Sequence, residues 1–300
     1  MPIGENAGVG ETRLVFARDA AAAARFYREA FGIELGQDVA FEVDDLEGAH
    51  ARAVEAGAEV VQEPEDGRAA YKDPEGNVVT LAERPRAVRV AGVDMAGGGW
   101  AVVVLEGNLV AEAFRSETFA EALLVDAEVV AVDIPIGIPE STPRPADVEA
   151  RRFVGARGSS VFPTAIRPVL EAPTYAEARA LAVELTGKSV SAPSYGLRHK
   201  ILEVDEHAAR DERLIEVHPE VSFSELARRP LLSKHRTDGL AERRALLEEA
   251  GIEVPEAVPR IAEPDLLDAT IAAWSARRYA EGEAVALPEG HEDRIGAIWR

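Results

Sequence analysis

The segment Ala87–Phe114, AVRVAGVDMAGGGWAVVVLEGNLVAEAF, together with Ala127–Gly137, AEVVAVDIPIG, decides the fold. Residues 87–95 are apolar except for Arg89 and Asp94, the pattern of a largely buried strand. Gly97, Gly98 and Gly99 supply a turn, and WAVVVLEG and NLVAEAF continue as a meander of hairpins. TFAEALL reads as a short helix, and AEVVAVDIPIG as a second buried strand that ends at Asp133. Three antiparallel strands, a helix and then a parallel strand predict an α/β domain with a mixed sheet.

Downstream, residues 139–202 read as helical and irregular, with SSVFPT at Ser159–Thr164 and a Gly/Ser/Pro-rich stretch at 186–196. RLIEVHP (Arg213–Pro219) is a further strand, followed by helices near 220–228 and 239–250. The strongest helix is PDLLDATIAAWSARRYAEG, with Pro264 at its start and Gly282 as its stop.

Four carboxylates fall at the ends of these elements. Asp94 closes the first strand and Asp133 the AVDIP strand, while Asp265 and Asp268 lie three apart in the first turn of the last helix and share a face. Gathered carboxylates raise one another's pKa unless a cation compensates, and hard ions such as Mg²⁺ or Mn²⁺ favour oxygen donors. Each acid also has a plainer reading, as a strand end or a helix-dipole residue; Asp268 resists it most, lying inside an apolar face. Strand alternation puts Glu216 and His218 on one side, Glu216 as a further ligand and His218 as a proton carrier or a strand-end cap. Arg151, Arg152, Arg157 and Arg167 flank Ser159 and Ser160, a set suited to phosphate oxygens, although Arg151 and Arg152 also suit a solvated helix face. Lys188, Arg198 and Lys200 extend the basic stretch.

Upstream, Thr12–Ala17 alternates like a strand, and Asp19 caps a helical run ending at Gly32. VAFEVDD leads into the helix LEGAHARAVEAGA. Three short strands follow, around 59–62, 69–72 and 78–81, the last two joined by the turn Asp73–Asn77. The order is βα, then βαβββ. Arg84-Pro85-Arg86 is the expected linker, which gives two domains, 1–86 and 87–300.

The 300 residues are 47% hydrophobic and 29% charged, a soluble, globular composition. Without cysteine, disulfides, thiolate metal sites and cysteine nucleophiles are excluded. The first residues lack the basic flank and apolar run of a signal peptide, and no stretch is long and apolar enough for a membrane helix, so a cytoplasmic location is expected. The net charge of −21 repels polyanions at long range. Residues 144–200 are locally basic, with 9 Lys and Arg against 5 Asp and Glu.

GVDMAGGGW, AVDIPIGIP, DVEARRFVGARGSSVFPT, VDEHAARDERLIEVHPEVSF and DLLDATIAAW, in this order, resemble domain-of-unknown-function family 429 over residues 88–300. The resemblance implies an RNase H-like fold and nuclease activity. DLLDA also resembles the last-helix acid pair of RuvC-type resolvases, which implies metal-binding roles for Asp265 and Asp268, beside Asp94 and Asp133 on the first and fourth strands. RDAAAAARFYREAFG, VAFEVDDLEGAHARAVEAGA and AYKDPEGNVVTLAE resemble the vicinal-oxygen-chelate (glyoxalase/bleomycin-resistance) superfamily over residues 12–83. A full domain of that superfamily has two βαβββ modules; here the first keeps only βα. Asp38 and Thr80 stand where its metal ligands are usual, which implies a non-catalytic module that dimerises or binds a small molecule. The leading expectation is thus a Mg²⁺- or Mn²⁺-dependent nuclease acting on nucleic acid, with a homodimer through the N-terminal module. Two alternatives use the same fold: a non-catalytic binding scaffold, and a phosphotransferase with DMAGGG as its phosphate turn, for which residues 87–300 are too few.

Overall fold

The computed structural model describes residues 39–43, 45–72, 78–83 and 87–300, which divide into two units between residues 86 and 87. The expected first strand and helix at 12–32, Asp38, the turn at 73–77 and the linker at 84–86 lie outside the described residues. Among the described residues no helix is long and apolar enough to cross a membrane.

In the first unit, β1 (Val39–Val43) leads into α1 (Leu46–Glu55), whose first turn is capped by the Asp45 carboxylate accepting from Gly48 N at 2.9 Å. Next come β2 (Glu59–Glu65), β3 (Arg68–Lys72) and β4 (Val78–Glu83). The sheet order is β1-β4-β3-β2, with β1 parallel to β4 and the other pairs antiparallel. Val43, Leu46, Ala49, Ala69, Tyr71 and Leu81 form its core. This is one βαβββ module.

In the second unit, β5 (Arg89–Ala96) pairs antiparallel with β6 (Gly99–Glu106), and β6 with β7 (Leu109–Ser116). The short α2 (Phe119–Ala122) starts at a reciprocal cap between Thr118 and Glu121. The chain then enters β8 (Val129–Val132), parallel to β5. Four helices follow: α3 (Pro145–Phe153), α4 (Arg167–Leu170), α5 (Tyr175–Thr186) and α6 (Ala192–Gly196), with a 3₁₀ turn at Gly155–Ser160 after α3. α7 (Arg198–Ala208) precedes β9 (Leu214–Glu216), which pairs parallel with β8. Last come α8 (Pro219–Ala227), α9 (Thr237–Glu249), α10 (Glu263–Ala280) and the small ribbon β10 (Ala286–Leu287) with β11 (Ile298–Trp299). The five-stranded sheet has the order β7-β6-β5-β8-β9, a mixed α/β architecture as expected.

Alternation along the strands divides the core into two layers. Val90, Val103, Ala131 and Ile215 face α10, while Ala91, Val93, Val102, Val130, Val132 and Leu214 face the layer of α2, α4 and α7. Gly92 lets α10 lie directly on the sheet: a Cβ there would stand 2.0 Å from the Ala269 carbonyl oxygen and 2.1 Å from Ala273 N. At the far end of the helix, Arg277 Nη1 reaches Gly107 O at 3.5 Å. The helix therefore runs along the face of the sheet, not across the strand ends.

The glycine turn that the phosphotransferase alternative would use is a hairpin end whose carbonyls are engaged. Arg115 donates to Ala96 O at 3.1 Å and to Gly97 O at 3.0 Å.

Candidate functional site

Two residues after Gly92, on the same face of β5, comes Asp94; two residues after Ala131, on the same side of β8, comes Asp133. The strands hold these positions in register, with Val93 opposite Val132 and Asp133 N donating to Val93 O at 3.0 Å. The N-terminal turns of α10 add Asp268, only 1% exposed, and the half-buried Asp265. Strand period and helix period thus deliver carboxylates from three separate chain segments to one place.

The four carboxyl groups act on one another's ionisation. Burial, then the charges of Asp133 and Asp268, push the Asp94 carboxyl well above the usual carboxylate range, against Lys234 and a hydrogen bond from Met95 N. Burial pushes Asp133 up as well, with Asp268 adding to it and His218 and Lys234 opposing. Asp265 is raised by burial and by Asp268, again opposed by Lys234. Among the described residues no three carboxylate or imidazole groups are already gathered as a metal-ligand set.

Lys234 answers part of this charge. Its Nζ lies 2.5 Å from Asp268 Oδ2. Burial disfavours the ammonium, but Asp268, with Asp133 and Asp94 behind it, outweighs that and holds its pKa above the ordinary lysine value. Sequence reasoning missed Lys234. It sits in a loop, LLSKHRTDGL, with no periodicity to aim it; the only signal was a lone lysine in the acidic last hundred residues.

Glu216 and His218 do not share a strand face as expected. The strand ends at Glu216, and His218 is the residue before the first turn of α8. Ile215 faces the α10 layer, so Glu216 points to the opposite layer, away from the four aspartates. There it meets Arg144, whose Nη2 lies 2.5 Å from Glu216 Oε1 and 2.7 Å from Asp147 Oδ1. Ile136 N donates to Glu216 at 2.7 Å, and Thr164 N to Asp147 at 2.6 Å. Arg144, Asp147 and Glu216 are all buried, and burial leaves the Glu216 carboxyl raised despite Arg144. Glu216 is a buried structural ion-pair residue, not a member of the acidic site. His218 stands near enough to Asp133 to lower its pKa. Its Nε2 is 3.4 Å from Ser160 O, and its buried Nδ1 has no partner among the described residues.

That contact brings Ser160 beside His218, but the four arginines expected around it are all engaged. Arg151 donates to Val161 O at 2.5 Å, and Arg152 pairs with Glu149. Arg167 pairs with Asp205 at 2.6 Å, and Arg157 donates to Glu220 at 2.9 Å. Ser160 Oγ donates to Arg157 O. Glu220 also accepts from Arg243, which is fully buried and donates to Leu232 O in the Lys234 loop. Arg157 is thus the outer end of a strut that reaches the site.

A family model described as a protein of unknown function (DUF429) matches residues 92–293. One described as a glyoxalase-like domain matches residues 37–82. No curated protein and no solved structure matches the chain.

Proposed function

The chain belongs to the DUF429 family of proteins of unknown function, and we propose that it is a divalent-metal-dependent nuclease with a non-catalytic glyoxalase-like module at its N-terminus. The observation that carries this reading is the convergence of Asp94, Asp133 and Asp268 from two parallel strands and a helix, three carboxyl groups facing the single ammonium of Lys234. The sheet opens with three antiparallel strands, a helix and a parallel strand, the order that the RNase H-like resemblance implies.

The donors fit a hard cation: they are all carboxylate oxygens withdrawn from water, and burial together with the neighbouring carboxylates raises Asp94 and Asp133. Asp94, Asp133 and Asp268 would hold Mg²⁺ or Mn²⁺, with Asp265 at the rim. When bound, the ion supplies Lewis acidity toward water and the phosphoryl oxygens. His218, near Asp133 and with its Nδ1 unpartnered among the described residues, would carry a proton to or from the reacting group. The Ser159–Ser160 segment, held next to His218, lines the path of a nucleic-acid backbone.

The test is cleavage of single-stranded, duplex and branched nucleic acids with Mg²⁺ or Mn²⁺, by the wild type and by Asp94→Asn and Asp268→Asn. Divalent-dependent cleavage lost in both variants is the expected result. Cleavage that survives in either variant, or failure of the wild type to cleave any of these nucleic acids, removes the assignment.

A further inference from the structure

We propose that Lys234 is the resident counter-ion of the acidic site, and that a divalent cation enters by displacing its ammonium from Asp268. The inference rests on the metal reading above but concerns how the ion gains access. Asp268 Oδ2, one of the oxygens an incoming ion needs, lies 2.5 Å from Lys234 Nζ. An ammonium and a divalent ion repel each other, so the two cannot share that oxygen from the same side.

The loop is built so that the side chain can leave while its backbone stays. Leu232 O accepts from Arg243 Nη1 at 2.8 Å, and Leu232 N donates to Glu242 Oε2 at 2.8 Å. Arg236 N donates to Ser233 O at 3.0 Å. The Ser233 carbonyl rests on Gly239, where a Cβ would come within 2.1 Å of it. None of these contacts involves the Lys234 side chain. The Lys234 side chain is 36% exposed, against 2% for Asp268, so its stem already lies partly at the surface toward which the ammonium can swing.

The experiment uses the full chain, stripped of metal by chelation, with Mn²⁺ as the probe. Calorimetric titration should give a dissociation constant for Lys234→Gln at least tenfold below that of the wild type. Lys234→Arg, which keeps the charge, should stay near wild type. A second readout needs no variant: acetylation of lysines, followed by mass spectrometry, should rise several-fold at Lys234 when Mn²⁺ is added. Lys72, Lys188 and Lys200 serve as internal references. Mn²⁺ binding by the wild type with unchanged or weaker affinity in Lys234→Gln, or with unchanged labelling of Lys234, overturns the displacement and leaves the metal reading standing. Absence of Mn²⁺ binding in every form overturns both.

Discussion

Asp94 and Asp268 carry the same functional group, two positions and one position from the contact between Gly92 and Ala269, yet they should respond oppositely to neutralisation. The fold raises the Asp94 carboxyl by burial and by Asp133 and Asp268, so it favours the protonated acid. A raised folded-state pKa contributes stability that is complete below the unfolded value, near 3.8, and is lost as pH rises through the folded value. Asp94→Asn, neutral at every pH, should therefore melt a few degrees above the wild type at pH 7 without divalent ions. The gap should close as the pH falls toward 4, and a gap independent of pH would contradict the electrostatic account. Asp268→Asn removes the partner of Lys234 and should melt lower than the wild type in the same buffer. In the opposite layer, Arg144→Met leaves Asp147 and Glu216 buried without their cation. Breaking such a set typically costs about 3–5 kcal/mol, so denaturant titration should show a loss of that order, unaffected by Mg²⁺.

Among the elements, α10 matters most, because its backbone lies on Gly92 and its first turns carry Asp265 and Asp268. Gly92→Ala places a methyl group 2.0 Å from a helix carbonyl, and backbone cannot step aside cheaply. It should abolish folding or lower the melting temperature steeply, whereas Gly196→Ala, which meets nothing within 4 Å, should be tolerated. Gly239→Ala pushes on the Ser233 carbonyl and so moves the loop that aims Lys234. It should shift Mn²⁺ affinity in the same direction as Lys234→Gln, read by the same titration.

At the scale of the molecule, the two units have separate cores, and residues 87–300 contain every member of the acidic site. A chain starting at residue 87 should fold, melt at the temperature of the second unit in the full chain, and retain any divalent-dependent cleavage. Light scattering on both forms then shows whether residues 1–86 pair two copies. The net charge of −21 opposes a polyanionic substrate at long range. Raising ionic strength from about 10 to about 100 mM shortens the reach of that repulsion. The apparent second-order rate of cleavage should therefore rise with salt over that range, the reverse of a basic nuclease.

Periodicity is a local property, and it was enough to read β5, β6, β7, β8 and α10 and to place Asp94, Asp133, Asp265 and Asp268 on them. Alternation along a strand and the 3.6-residue turn of a helix depend only on neighbours in the chain, so these acids were legible without a structure. The same rule misplaced Glu216 and His218, because β9 stops at Glu216 and only its pairing with β8 determines where it stops. Once there, Glu216 takes Arg144, 72 residues away, as its partner. Lys234 was out of reach for the same reason: no repeat orients a loop lysine, and the backbone of its loop is held by Arg243, Glu242 and Gly239 of the neighbouring helix. The sequence alone determined which carboxylates stand at element ends. Tertiary packing decided which of the other charged groups would meet them, since the energy that selects an ion pair arises only when distant segments share a desolvated space.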